Sequence, residues 1–213
     1  MKTDDLVTML ATGVEAVDPR VAARRLALAL AVGAAAGSAL LLALLGPNPE
    51  LARYLATPMH WVKVGFTAAL AAGGLWTVAR LARPGRRLAG AAFALAVPVL
   101  VIWLMGGASL ANAAPAQRAT LLFGNTWTAC PLNIALLALP SFVAFLWALR
   151  DLAPTRLRLA GATAGFAAGA LGALIYTIHC PELAAPFLGV WYVLGMLVPA
   201  AVGAAIGPRV LRW

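Results

Sequence analysis

Six long apolar runs limit what this chain can fold into more than any other feature of its sequence. A helix needs ~20 mostly apolar residues to cross a bilayer. The runs cover roughly residues 26–45, 61–81, 88–105, 131–149, 159–178 and 187–206. Only 11% of the residues are charged, which is too few for the surface of a soluble domain, and no alternating strand pattern is visible. The sequence therefore predicts an all-α polytopic membrane protein with six transmembrane helices.

The basic residues are unevenly divided between the two ends of the predicted spans. Most of them precede the first run, follow the last, or lie around the turns after the second and fourth runs. Only Arg53, Lys63 and Arg118 fall on the other side, and Lys63 is near enough to a helix end for its amine to reach the interface. Because basic residues collect on the cytoplasmic side, both termini are predicted to be cytoplasmic. The same distribution explains the net charge of +9 without direct nucleic-acid binding.

The chain divides into a cytoplasmic segment (1–25), a transmembrane domain (26–208) and a short cytoplasmic tail (209–213). Within the first segment, Thr3 with Asp4 and Asp5 has the pattern of a helix start. Asp18-Pro19 should end that helix, because the residue before a proline disfavours helical backbone. The sequence predicts a cytoplasmic helix of about fifteen residues.

This predicted helix has one apolar stripe, which is its candidate partner-binding surface. The stripe consists of Leu6, Leu10, Val14 and Val17, and Val7 beside it completes the candidate surface. A lone amphipathic helix of this length is marginal in water and needs a surface to pack on. The acidic residues of the helix disfavour anionic lipid and favour a protein partner. Packing beneath the chain's own bundle is the alternative.

The only two histidines and two cysteines of the chain are predicted to meet at one face of the membrane. Cys130 begins the fourth run, His179 and Cys180 end the fifth, and His60 begins the second. Glu182 closely follows Cys180. Given the predicted orientation, this is the outer face, where thiols can pair. Each cysteine precedes a proline, so both are also compatible with small filler residues at helix boundaries.

Several chemical roles are open for these residues. Cys130 and Cys180 could form a reversible disulfide, or they could coordinate a soft metal together with His179, His60 or Glu182. Cys-Pro is also sometimes associated with haem contact, but two residues are a weak signal. Neither a CxxC nor an HxxxH spacing is present, so no cofactor is predicted. No serine–histidine, paired-carboxylate or phosphate-loop pattern is present either, and the chain is not expected to be an enzyme.

Other features concern packing rather than chemistry. Gly161, Gly165 and Gly169 form a ladder that should let a neighbouring helix approach closely. Three prolines, Pro98, Pro140 and Pro199, are predicted inside spans, where they would kink the helices. Asn48 and Pro49 have the pattern of the start of a short helix between the first two spans.

Several stretches of the chain are similar to one known family. They are MKTDDLVTMLATGVEAVDP, TPMHWVKVGFTAALAAGGLW, ARPGRR, TWTACPLNIALLALP, IHCPELAAPFLGVWYVLGMLVPA and IGPRVLRW. Together they resemble the NrsF family, six-helix anti-sigma factors of the bacterial inner membrane that negatively regulate a sigma-F-type extracytoplasmic-function (ECF) sigma factor. The resemblance extends over essentially the whole chain.

The resemblance implies a function for the cytoplasmic segment and for the two cysteines. The cytoplasmic segment would hold the sigma factor at the membrane, and Cys130 and Cys180 would be needed for the response to heavy-metal or oxidative stress outside the cell. It assigns no role to His60, His179 or Glu182. The alternatives are a periplasm-facing thiol redox or metal-handling membrane protein without a sigma-factor partner, and a structural subunit of a larger complex.

Overall fold

The apolar runs form helices, and the computed structural model, which describes residues 3–12, 20–83 and 88–212, contains no strand in those residues. The described helices are α1 (Thr3–Ala11), α2 (Val21–Leu44), α3 (Leu51–Leu55), α4 (Pro58–Leu81), α5 (Ala91–Asn112), α6 (Pro115–Phe123), α7 (Cys130–Arg150), α8 (Leu157–Tyr176) and α9 (Ala185–Val210). Within α9, Leu188–Tyr192 has π-helical hydrogen bonding. Six of these helices, α2, α4, α5, α7, α8 and α9, are long and apolar enough to cross a membrane. The predicted fold class is confirmed.

The ends of several spans differ from the prediction. Helix α5 begins at Ala91, after Gly90 in a left-handed conformation, and continues through Gly106 to Asn112. The prediction ended this span at residue 105, and the glycine that follows has a low helix propensity. In the structure Gly106 lies against the backbone of Pro186, so tertiary packing outweighs its low helix propensity. Similarly, α3 begins at Leu51 rather than at Pro49, which lies in the preceding turn.

Helix α8 occupies the middle of the bundle and packs against α4, α7 and α9. The predicted glycine ladder is its contact with α9, because Gly161 touches the backbone of Gly203 and Gly165 touches that of Pro199. On another side of α8, Gly172 lies against Ala138 of α7. Small residues therefore bring the helix backbones into direct contact, as in many membrane bundles. The prediction of close approach at the ladder is confirmed.

The other helices surround this centre. Helix α2 packs on α7, where Gly33 lies against Ser141, and Arg25 forms an ion pair with Asp151 at the far end of the same two helices. Helix α5 packs mainly on α4 and on the first turns of α9. The three prolines predicted inside spans are found inside helices: Pro98 in α5, Pro140 in α7 and Pro199 in α9.

The N-terminal helix is shorter than predicted. It ends at Ala11, and Thr12 forms a turn whose hydroxyl donates to the carbonyls of Thr8 and Met9, at 3.1 and 3.0 Å. Those side-chain bonds compete with a further helical turn. No residue of α1 is buried, and Leu6, Val7 and Leu10 are exposed. The alternative in which the bundle covers the stripe is therefore wrong for these three residues, while Val14 and Val17 lie outside the described residues.

Candidate functional site: a buried thiol pair

The structure brings Cys130 and Cys180 together, as the predicted topology requires. Cys130 is the first residue of α7, and Cys180 lies in the irregular segment between α8 and α9. Their side chains are hydrogen-bonded to each other, and the two sulfurs do not form a disulfide. Cys130 is 0% and Cys180 2% exposed. The end of the bundle where they meet is called the thiol end below.

The two prolines suit the places of the cysteines, one at the start of α7 and one shortly after α8. Pro131 occupies the first turn of α7, where its missing N–H removes no helical hydrogen bond. Cys180 still donates its N–H to the carbonyl of Tyr176, at 3.0 Å, but Pro181 has no N–H with which to continue the helix. Pro131 thus suits the start of α7, and Pro181 prevents the chain from returning to helix directly after Cys180, beyond the end of α8 at Tyr176.

Lys63 lies at the thiol site and does not extend to the membrane interface. Its side chain is 0% exposed, and its Nζ donates to the carbonyl oxygens of Cys180, at 2.7 Å, and Glu182, at 3.1 Å. The ammonium also lies 5.3 Å from the ring centre of Tyr192. The expectation that Lys63 reaches the interface is therefore wrong. The irregular segment after α8 offers carbonyl acceptors inside the bundle, and these replace the polar groups of the interface.

Glu182 fastens the same segment to the connection that precedes α7. Its carboxylate accepts hydrogen bonds from the N–H of Asn125, at 2.7 Å, and the hydroxyl of Thr126, at 3.3 Å. Gly124, which has a positive φ of 52°, lies so close to this carboxylate that a Cβ there would be 2.5–2.7 Å from its atoms. The residues just before Cys130 and just after Cys180 are thus held to one another.

The two histidines do not join the thiols. His179 follows α8 and directs its Nδ1 to the carbonyl of Gly46, at 2.9 Å, while its own carbonyl accepts from the side chain of Asn48, at 3.1 Å. His60 is buried in the first turn of α4, edge-on to Trp61. Among the residues that the structure describes, no three His, Cys, Asp or Glu side chains are arranged to hold a metal ion. Among the described residues, a metal ion at this site would therefore find two neighbouring thiol ligands, Cys130 and Cys180, and no third ligand of these types.

The thiol of Cys180, which lies outside the membrane-spanning helices, is acidified by its surroundings. The hydrogen bond with Cys130 is the main cause that lowers its pKa, and the Lys63 ammonium lowers it further. Burial acts in the opposite direction, and the net result is a pKa of about 6. The Cys180 sulfur is therefore the more acidic thiol of the pair, and thiolates are the reactive form of cysteine.

The lowered pKa of Cys180 predicts a specific pH dependence. A group with a lowered pKa keeps its charge above that pKa, so the thiolate should be present at pH 7 and should disappear as the pH falls through about 6. Thiolate ultraviolet absorbance, recorded between pH 5 and pH 9 against a Cys180→Ser protein, measures this midpoint. In Cys130→Ala the midpoint should move to higher pH, because the main cause of the lowering is lost. An unchanged midpoint in Cys130→Ala would contradict this assignment.

Comparison with known proteins gives a consistent result over the whole chain. The family model NrsF, described as "Negative regulator of sigma F", matches residues 10–213. A relative from Azospira oryzae, named "Probable anti-sigma-F factor NrsF", is 53% identical over 213 residues and 100% of both chains. The "Anti-sigma-F factor NrsF" of Caulobacter vibrioides is 38% identical over 222 residues, again with 100% of both chains covered. No solved structure matches this chain.

Proposed function

The chain belongs to the NrsF family of negative regulators of sigma F, and from this membership we propose how it captures and releases its sigma factor. Residues 1–25 capture an ECF sigma factor of the sigma-F type, and residues 26–208 form a sensor domain. Capture keeps the sigma factor at the bacterial inner membrane, away from RNA polymerase. Release follows when Cys130 and Cys180, facing the periplasm, sense oxidative or heavy-metal stress. The protein itself contacts no nucleic acid.

The observation that carries this proposal is the exposed apolar stripe of α1. Leu10 is 66% exposed, and Leu6 and Val7 are exposed beside it on a helix with no buried residue. A helix of nine residues is unstable in water by itself, and such helices are commonly stabilised in the apolar groove of a partner protein. Asp4 and Asp5 in the first turn favour a partner with basic groups at the edge of that groove.

The thiol pair supports the sensing part of the proposal through its position between helices. Cys130 belongs to α7, and Cys180 lies four residues beyond the last residue of α8, Tyr176. The two helices pack closely along their length, with Gly172 against Ala138. A bond formed between the sulfurs would change the relative tilt of α7 and α8 at the thiol end, and the rigid packing would carry that change to the opposite end. The coupling required is modest, within the ~1–3 kcal/mol typical of allosteric proteins.

The capture step is tested by substitutions in the stripe. Detergent-solubilised protein should retain the sigma-F-type factor of its own genome in a pull-down, and deletion of residues 1–18 should abolish retention. Leu6→Asp with Leu10→Asp should weaken capture by at least roughly tenfold, because each buried leucine is worth about 1.5–3 kcal/mol. Thr8→Asp adds one such charge on the opposite side of α1 and is expected to leave capture nearly unchanged; the single Leu10→Asp variant is its charge-matched partner.

The same experiment separates the proposal from its main alternative. If the intact protein retains no sigma factor, and thiol chemistry at Cys130 and Cys180 persists, the protein is a thiol redox or metal-handling membrane protein instead. If the Leu6→Asp, Leu10→Asp protein binds as tightly as the intact one, the sigma factor is held by another surface.

A further inference from the structure

A fully buried lysine beside the thiol pair has no role in the function proposed so far. Lys63 lies inside α4, and its side chain is 0% exposed. Within the described part of the chain it forms no ion pair with a carboxylate. Lysines are almost never fully buried without a partner, and an ionisable residue inside a membrane domain is usually functional.

All hydrogen bonds of the Lys63 amine are made to one short segment. Its Nζ donates to the carbonyls of Cys180, at 2.7 Å, and Glu182, at 3.1 Å. These two residues flank Pro181 in a stretch without regular secondary structure. Carbonyls in such a stretch have no helical partner, and leaving them unpaired inside a membrane protein is costly. The Lys63 ammonium has three N–H donors, so it can donate a hydrogen bond to both carbonyls.

We infer that Lys63 is a positioning residue for the thiol pair: its buried ammonium fastens the segment that carries Cys180 to α4, so that the sulfur stays beside Cys130 and the two thiols are able to join. This inference concerns the regulation of the sensing site and rests on the proposed function.

Three sets of hydrogen bonds hold the Cys180 segment, and they differ in the element to which they tie it. Gly46 and Asn48, which follow α2, hold His179. Lys63 ties the carbonyls of the segment to α4, whereas the Glu182 side chain ties it to Asn125 and Thr126 before α7. Without the lysine, the segment loses its attachment to α4 at the very residue that carries the thiol. The positive charge also favours the thiolate form, which is the form that attacks an oxidant.

The reaction that reports on this positioning is disulfide formation with hydrogen peroxide. The Cys180 thiolate attacks one peroxide oxygen and, with a proton, gives a sulfenic acid and water. The Cys130 sulfur then displaces the second oxygen as another water. Overall two thiols lose two electrons and two protons, and one peroxide becomes two waters. The second step requires the two sulfurs to remain neighbours.

The test compares three purified full-length proteins in lipid nanodiscs, exposed to hydrogen peroxide. Lys63→Met keeps the length of the side chain but removes its charge and donors, whereas Lys63→Arg keeps both. Disulfide formation, measured by mass spectrometry after alkylation of the remaining thiols, should slow at least roughly tenfold in Lys63→Met. Lys63→Arg should restore most of the rate.

A matched control separates positioning from general loss of structure. Leu70 is also fully buried on α4, and Leu70→Ala should destabilise the bundle while leaving the oxidation rate nearly unchanged. The inference is overturned if Lys63→Met oxidises at the wild-type rate, if Lys63→Arg is as slow as Lys63→Met, or if Leu70→Ala slows the reaction equally. Because no sigma factor is present in this assay, a failure of sigma-factor capture leaves its outcome unaffected.

Discussion

A Gly165→Leu substitution is expected to prevent the six-helix bundle from assembling. A Cβ at this position would overlap the carbonyl oxygen of Pro199 and lie 2.8 Å from the Cα of Ala200. These are backbone atoms of α9, so no side-chain rotation relieves the overlap, and α8 and α9 would have to separate. Ordinary overpacking costs about 1–3 kcal/mol, and forcing two backbones apart along a small-residue contact should cost more.

The measurement is the amount of folded protein recovered from membranes, followed by thermal unfolding of whatever is recovered. Gly65→Leu on α4 is the matched control, because a Cβ at Gly65 has no neighbouring atom within 4 Å. We expect Gly65→Leu to purify and unfold like the wild-type protein, and Gly165→Leu to be aggregated or degraded. Equal recovery and stability of the two proteins would show that the ladder does not hold α8 to α9.

Replacing either thiol with serine should abolish the response to stress while leaving sigma-factor capture intact. Serine is close in size to cysteine and can still donate a hydrogen bond, so the packing around Cys130 and Cys180 should survive. A serine hydroxyl, however, cannot form a disulfide and binds soft metals poorly. Because the proposed signal joins two sulfurs, either single substitution should be as severe as the double one.

Transcription from a promoter that depends on the sigma factor measures this response, with and without peroxide or a heavy-metal salt. Cys130→Ser and Cys180→Ser should show the low basal transcription of the wild type and no induction. Met196→Leu removes a fully buried sulfur from α9 and should be induced normally. Normal induction in both serine variants would refute the sensing role, whereas high basal transcription would indicate that the thiols support capture itself.

The architecture of the bundle was predictable because the signals for it are local in sequence. The length of each apolar run is set by the thickness of a bilayer, and the four-residue spacing of Gly161, Gly165 and Gly169 marks one face of a helix. Helix ends were less predictable. The end of α5 depends on the contact of Gly106 with Pro186, and that contact joins residues far apart in the chain.

The candidate site was only half predictable. The neighbourhood of Cys130 and Cys180 follows from the number of spans between them, since alternate helix ends share a membrane face. The partners of these residues do not follow from that count. Lys63 is buried only because the segment after α8 presents the carbonyls of Cys180 and Glu182 to it, and an irregular segment has no periodic pattern to read. In the sequence, the apolar residues around Lys63 on α4 were the signal that this lysine is buried.

The central place of α8 has a consequence for how the protein is made. This helix is the most deeply buried of the six spans, yet it is the fifth to leave the ribosome. Helices α2, α4, α5 and α7 therefore emerge before α8 can offer them the glycine-rich surface on which the bundle closes. During that interval the amine of Lys63 has neither of the carbonyls that later accept its hydrogen bonds. Until α8 and the segment after it join them, these four helices form an open intermediate with an unsatisfied lysine.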